Sequence, residues 1–489
     1  MIKSLDLPFV RAQFPDTCFN DGWAFFENAG GSYVPNAVID RMTAYMRGSQ
    51  VQPQAPYPKS QLAGQRMADG HARMAEMIGA TADEVVIGPS TSMNVYVLAQ
   101  ALRPLWKAGD EVIVAVANHE ANSSPWRRLS EFGIVVKEWP VDAETGALRL
   151  DLLEDLLTER TRLVAFPHVS NITGDINDVP AITRQVHAAG AMVCVDAVAY
   201  APHRAVDVKA WDVDFYLFSF YKIMGPHIGL LYGKRERLLE ARGQGHLFFA
   251  EDDIQHKLNP AGPNHETIAA LAGIADYFEA LAAHHFDAPA NTLHARTAQV
   301  FGLVAAHEQR LAERFLDAAL NIPGLRLLGR RTADAALRAP TFSFTVEGKS
   351  SAEIVAALTA QQIACWNGDF YAPRLLEAVD ITDTTDGVVR TSMTHYNTVE
   401  EVERLVAALD SYIARRNYKM VSDIKFVLIL AAVAIVIALL VLFNRNKHLA
   451  GHMGIPVDKM PIKDQRTLRV LGWAAICVFS VLILLGSFE

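Results

Sequence analysis

The chain has 489 residues, 51% of them hydrophobic and 20% charged, with a formal net charge of −9. That is a globular balance rather than a disordered one, and the length exceeds what one hydrophobic core serves, so two or more domains are expected. The negative charge gives no electrostatic case for nucleic acid, and the scattered cysteines Cys18, Cys194, Cys365 and Cys477 offer neither metal-ligand spacing nor a disulfide framework.

The opening "MIKSLDLPFVRAQFP" has no apolar core of signal-peptide length, so the catalytic part is expected in the cytoplasm. From Glu84 to Tyr232, short β-branched runs alternate with helical stretches. The predicted strands are "EVVIG" (84–88), "EVIVAV" (111–116), "GIVVKEW" (133–139), "RLVAF" (162–166), "MVCVD" (192–196), "VDFYLFSF" (213–220) and "IGLLY" (228–232). Helical patterns such as "LDLLEDLLTERT" and "PAITRQVHAAG" lie between them, the second starting on a proline and closing on Gly190. Near-continuous apolar strands alternating with helices predict an α/β domain with a mainly parallel sheet.

Residues from roughly 290 to 415 read as a smaller α+β domain. Its last helix is marked by a capping box of Thr398 and Glu401, with Val402, Leu405, Val406, Leu409 and Ile413 on one face. The expected organisation is an arm (1–30), a large α/β domain (31–285), a small domain (286–418) and a tail (420–489). In the tail, "FVLILAAVAIVIALLVLF" (426–443) and "VLGWAAICVFSVLILLGSF" (470–488) are each long enough to cross a hydrocarbon layer of about 30 Å. Two transmembrane helices are therefore expected, a multi-pass attachment to the membrane. The basic segment between them carries Arg445, Lys447, Lys459, Lys463, Arg466 and Arg469. By the positive-inside rule that segment would also be cytosolic, which a single crossing from a cytoplasmic enzyme does not allow. A second reading, two neighbouring reading frames joined near Met420, removes the conflict.

In a parallel α/β sheet, ligands bind beyond the carboxyl ends of the strands. Asp196 ends one predicted strand, while His119, Asn171 and Lys222 follow three others. An acid, an imidazole, an amide and a lysine converging there suggest a cofactor rather than a simple acid–base pair. A lysine in an apolar crevice has a depressed pKa and is nucleophilic as the free amine. Pyridoxal 5'-phosphate is the aldehyde cofactor that needs such a lysine, for a Schiff base, and separately an acid beside its ring nitrogen.

From "FFENAGGSYVP" (25–35) to "RTSMTHYNTVEEVERLVAAL" (390–409), and above all in "VDAVAYAPHRAVDVKAWDVDFYLFSFYKIMGPHIGLLYG", the sequence resembles the class V aminotransferases, especially their cysteine desulfurase-like branch. The resemblance implies the pyridoxal-phosphate-dependent transferase fold of type I and a homodimer that completes its pockets across a twofold axis. It implies that Lys222 carries the cofactor, Asp196 pairs with the ring nitrogen, His119 stacks on the ring and Asn171 lies near the ring oxygen. Ser219 and Tyr221 match phosphate ligands, as do Ser90, Thr91 and Ser92 at a strand-to-helix turn. Arg390 matches the arginine that forks onto the α-carboxylate of a small amino-acid substrate.

Three positions depart from that pattern. Tyr371 stands where desulfurases carry the cysteine that forms a persulfide, Ala199 where they often carry a glutamine, and Gly262 in "AGPNHE" where a phosphate loop has threonine. Cys365, nearby, reads as a small buried hydrophobe. The expectation is thus an enzyme, lyase-like by resemblance. An aminotransferase or epimerase is the near alternative, and a catalytically silent membrane-attached binding protein the distant one.

Overall fold

The computed structural model describes residues 4–413 and a scatter of helical positions between Leu430 and Val470. The chain divides into two units, Met1–Leu409 and Asp410–Glu489. In the first unit a short β1 (Ala24–Phe25) is followed by the strands of a seven-stranded sheet. These are β2 (Val85–Gly88), β3 (Glu111–Ala115), β4 (Val135–Trp139), β5 (Thr161–Pro167), β6 (Met192–Asp196), β7 (Phe215–Ser219) and β8 (Gly229–Gly233). Their order is β2-β8-β7-β6-β5-β3-β4. Every residue of β3, β7 and β8 is buried, as strands covered on both faces require.

The sheet is parallel from β4 to β7, and β8 runs antiparallel to both β7 and β2. The reversal follows from length: the connection 220–228 is shorter than the dozen or more residues a parallel crossover needs. It has a consequence for the site. The carboxyl ends of β2, β3, β5, β6 and β7 and the amino end of β8 all emerge at one edge of the sheet.

The helix Val179–Ala188 starts as its sequence implies, with proline in the first turn and the Asp178 side chain accepting from the Ala181 N–H at 3.0 Å. The pattern "LDLLEDLLTERT" gives less helix than its periodicity suggests, a 3-10 turn (Leu150–Leu152) and one α-turn (Leu153–Leu156). Thr158 ends it, donating its hydroxyl to the buried Glu111 carboxylate at 2.7 Å while its N–H binds the Thr161 hydroxyl at 2.9 Å.

Further along are β9 (Leu325–Leu327), β10 (Thr341–Val346), β11 (Ile363–Ala364), β12 (Trp366–Gly368) and β13 (Val388–Ser392). β11 pairs in parallel with β1, and the other four form an antiparallel sheet in the order β12-β13-β10-β9. A helix over 399–413 follows. Its capping box is present: the Glu401 N–H donates to the Thr398 hydroxyl at 3.2 Å, and the Thr398 N–H to the Glu401 carboxylate at 3.1 Å. Val402, Leu405, Leu409 and Ile413 are buried along it.

In the second unit, the two stretches expected to cross a membrane, 426–443 and 470–488, lie outside the described residues apart from scattered positions. Among the described residues no helix is long and apolar enough to cross a membrane.

Candidate active site

A cleft of about 540 Å³, counted with its open mouth, lies at the sheet edge where the strand ends converge. Ser90, Thr91, Ser92, His119, Asn171, Asp196, Ser219, Tyr221 and Lys222 all line it, together with Ala199. Of the residues expected at the site, only Arg390 does not form part of this wall. It is joined to the wall instead, its Nη1 donating to the Asn171 carbonyl at 3.3 Å.

Asp196 is the last residue of β6 and Ser219 the last of β7, and Lys222 sits in the 3-10 turn Phe220–Lys222 just after it. Burial pulls the Lys222 amine down to about 8; the nearby Arg390 cation acts in the same direction, and the Asp196 and Glu27 carboxylates only partly oppose it. At pH 7 an amine of that pKa is free base in about one molecule in ten, against fewer than about one in a thousand for an ordinary lysine. Burial likewise raises the Asp196 carboxyl, while the Val198 N–H, at 2.9 Å, and Lys222 favour its ionised form. His119 is drawn down to about 3, first by burial and then by the Lys222 and Arg390 charges, so its imidazole is neutral. Its Nδ1 accepts from the Ala121 N–H at 3.0 Å.

The turn after β2 forms the other end of the cleft. Ser90 caps the helix Thr91–Leu102, accepting from the Met93 N–H; the first N–H groups of a helix have no acceptor within it and suit an anion. The Thr91 and Ser219 hydroxyls are 2.7 Å apart. Gly229, at the start of β8, presses against this turn: a Cβ there would lie 2.5 Å from the Thr91 nitrogen. Only glycine permits that approach.

Two residues that no motif in the sequence marks out also reach the site. The Phe370 ring covers the Arg390 guanidinium, 3.7 Å from its central carbon, and the Phe370 carbonyl accepts from the Asn171 side-chain amide at 2.9 Å. Gly368, Phe370 and Tyr371 all have positive φ, 139°, 48° and 59°, so this strap is a strained turn held by its partners. The Tyr371 carbonyl accepts from the Glu120 N–H at 2.8 Å, and its exposed ring lies 5.2 Å from that of His119. Arg374 pairs with Glu120 beside it. The second residue, Glu27, places its Oε1 3.8 Å from Arg390 Nη2. A glycine at 30 was its available signal, since a Cβ there would fall 2.0 Å from the Glu27 Oε1. Cys365, between β11 and β12, is buried, and burial pushes its thiol up to about 12, which keeps it protonated.

Comparison with known proteins identifies the family. The aminotransferase class-V family profile matches residues 24–405. The aminotransferase-like protein FGM3 of Gibberella zeae is 38% identical over 417 residues, covering 83% of this chain and 98% of the relative. The cysteine desulfurase-like protein ustD of Aspergillus flavus is 32% identical, over 84% of this chain and 91% of the relative. Among solved structures, the cysteine desulfurase CsdA of Escherichia coli superposes with a TM-score of 0.69 at 27% identity, over 83% of this chain and 98% of that one.

Proposed function

The chain belongs to the class-V aminotransferase family and is a cysteine desulfurase-like, pyridoxal-phosphate-dependent enzyme; from that premise we propose that it acts on a small amino acid by taking a proton from its α-carbon at Lys222 Nζ. The observation that carries this reading is a buried amine with a pKa of about 8, in one cleft with a carboxylate at a strand end. The donor set fits the cofactor. Lys222 would hold its aldehyde, Asp196 its ring nitrogen, His119 the face of its ring and Asn171 the side of its ring oxygen. Ser90, Thr91, Ser92, Ser219 and Tyr221 would hold its phosphate at the glycine-backed turn. Bound there, the group supplies an electron sink for charge developed at the α-carbon.

The chain's own residues do the rest. Arg390 orients the substrate carboxylate, its face already covered by Phe370 and its Nη1 engaged by Asn171. Lys222 Nζ, as the free amine, would accept the α-proton as general base. His119, kept neutral first by burial and then by its Lys222 and Arg390 neighbours, adds no positive charge. We read Tyr371 as replacing the persulfide cysteine, because a phenol forms no persulfide and the Cys365 thiol is buried and protonated; elimination, transamination and epimerisation all remain compatible with the remaining groups. The test is proton exchange. In D₂O, the cofactor-loaded enzyme should exchange the α-hydrogen of its amino-acid substrate, seen by NMR, with pyruvate, alanine or sulfide release dividing the reactions. A panel of small amino acids without any exchange would favour the silent relative.

The assembly is proposed to be a homodimer, with 31–285 and 286–418 as its large and small domains. Leu247 is fully and Phe248 largely exposed, and Gly262 faces open space, as surfaces awaiting a second copy would. Leu247→Ser with Phe248→Ser should shift sedimentation velocity from dimer toward monomer. A wild-type protein already monomeric at assay concentration would refute the dimer.

The apolar stretches 426–443 and 470–488 support a tail in the membrane, and the catalytic part is proposed to lie in the cytoplasm. Native protein of about 54 kDa, at roughly 110 Da per residue, should resist alkaline extraction from membranes. A soluble product of about 46 kDa would instead favour two joined reading frames.

A further inference from the structure

The guanidinium of Arg390 has three sets of surroundings. Its face is covered by the Phe370 ring, and Nη1 donates to the Asn171 carbonyl. The remaining edge, Nε with Nη2, is not satisfied. Among the described residues, Nε is buried without a hydrogen-bond partner, and Nη2 meets the Glu27 Oε1 at 3.8 Å. That distance is close enough to offset charge and too long for a hydrogen bond. Two parallel N–H groups on one edge match the two oxygens of a planar carboxylate.

Glu27 is fixed beside that edge by the backbone. Its residue bridges Ser392 in parallel, the Ser392 N–H donates to the Phe26 carbonyl at 2.7 Å, and the Ala29 N–H donates to the Ser392 hydroxyl at 2.6 Å. The carboxylate folds back over Gly30, where no side chain stands in its way. The groups facing it are the Arg390 and Lys222 cations and the Cys365 thiol. Its own side chain remains 28% exposed, so a route toward solvent exists.

Resting on the reading of Arg390 as the carboxylate anchor, we propose that Glu27 is a further specificity-determining residue: a counter-ion that waits at the Nε–Nη2 edge and competes with the substrate carboxylate for it. A ligand carboxylate that takes the edge puts two anions beside one guanidinium. Glu27 then either swings outward or takes up a proton. Burial already raises its carboxyl above the ordinary range, against the pull of Arg390 and Lys222, which favours proton uptake. Affinity for a carboxylate therefore rises as pH falls through the titration of Glu27, and a ligand with a second negative charge near the first is rejected.

Propionate, which has no amine to react, is the probe. Its binding to the cofactor-loaded enzyme is read from the rise in Tm with concentration between pH 5.5 and 8. Glu27→Gln should bind propionate about fivefold or more tightly at pH 8 and lose the pH slope, while Glu27→Asp, which keeps the charge, retains a slope. A Glu27→Gln protein that binds no more tightly than wild type, with the same slope, overturns the inference. Arg390→Met separates the two ideas. If it loses propionate binding while Glu27→Gln is unchanged, only the role of Glu27 fails; if it binds as wild type does, the anchor itself fails.

Discussion

Lys222→Ala is expected to lower turnover by at least about 10²- to 10⁴-fold, the range associated with loss of a positioned general base, and to abolish the visible absorbance of the cofactor-loaded protein. The two readouts come from one atom. The Nζ at this position is proposed both to hold the cofactor and to accept the α-proton, so neither function survives its removal. Arginine does not substitute, because a guanidinium stays protonated at the pH where an amine of pKa about 8 is partly free. Retained absorbance and turnover would sink the assignment.

The same group affects stability without the cofactor. The folded amine has a pKa near 8 and the unfolded one near that of ordinary lysine. The unfolded chain therefore binds more proton, and stability of the cofactor-free protein rises with pH from about 8 toward about 10.5. At pH 7 the buried ammonium costs on the order of 3 kcal/mol. Lys222→Met, which fills the space without the charge, should raise the Tm of the cofactor-free protein at pH 7 and flatten its pH dependence. An unchanged Tm would mean that the amine is solvated in solution.

Arg390→Lys is the second large effect. An ammonium cannot present two parallel N–H groups to a carboxylate, donate to the Asn171 carbonyl and lie flat under Phe370 at once. Losing one charge-assisted hydrogen bond costs about 1.5–3 kcal/mol, so KM for the amino acid should rise about 10- to 100-fold. The rise should fall on KM more than on kcat, since the carboxylate is held in ground and transition states alike. A variant with unchanged KM would place the carboxylate elsewhere. Burial already draws the Arg390 guanidinium down to about 10, still far above neutrality, so the anchor remains charged across the working range.

The strand runs between Glu84 and Tyr232 announced the sheet because most are apolar on both faces, a property of the local sequence; the edge strand β4, with Lys137 and Glu138, is the exception. For the same reason Asp196, Asn171, His119 and Lys222 could be placed at strand ends, and the capping box of Thr398 and Glu401 could be read directly. The reversed strand β8 could not, although its short connection to β7 held the clue. Periodicity reports which faces of an element are apolar; it carries no strand direction.

Residue types and their order along the chain thus determined the sheet, the turn at Ser90 and the pairing of a lysine with an acid at one edge. The tertiary structure alone decided what surrounds Arg390. Phe370 meets Asn171 across 199 positions, and Ala29 meets Ser392 across 363, so Glu27 and the strap reach the site only once distant segments have packed. The electrostatics depend on that packing too: the fall of Lys222 to about 8 and of His119 to about 3 comes first from loss of water, and water is excluded by the assembled fold, not by neighbours in the chain.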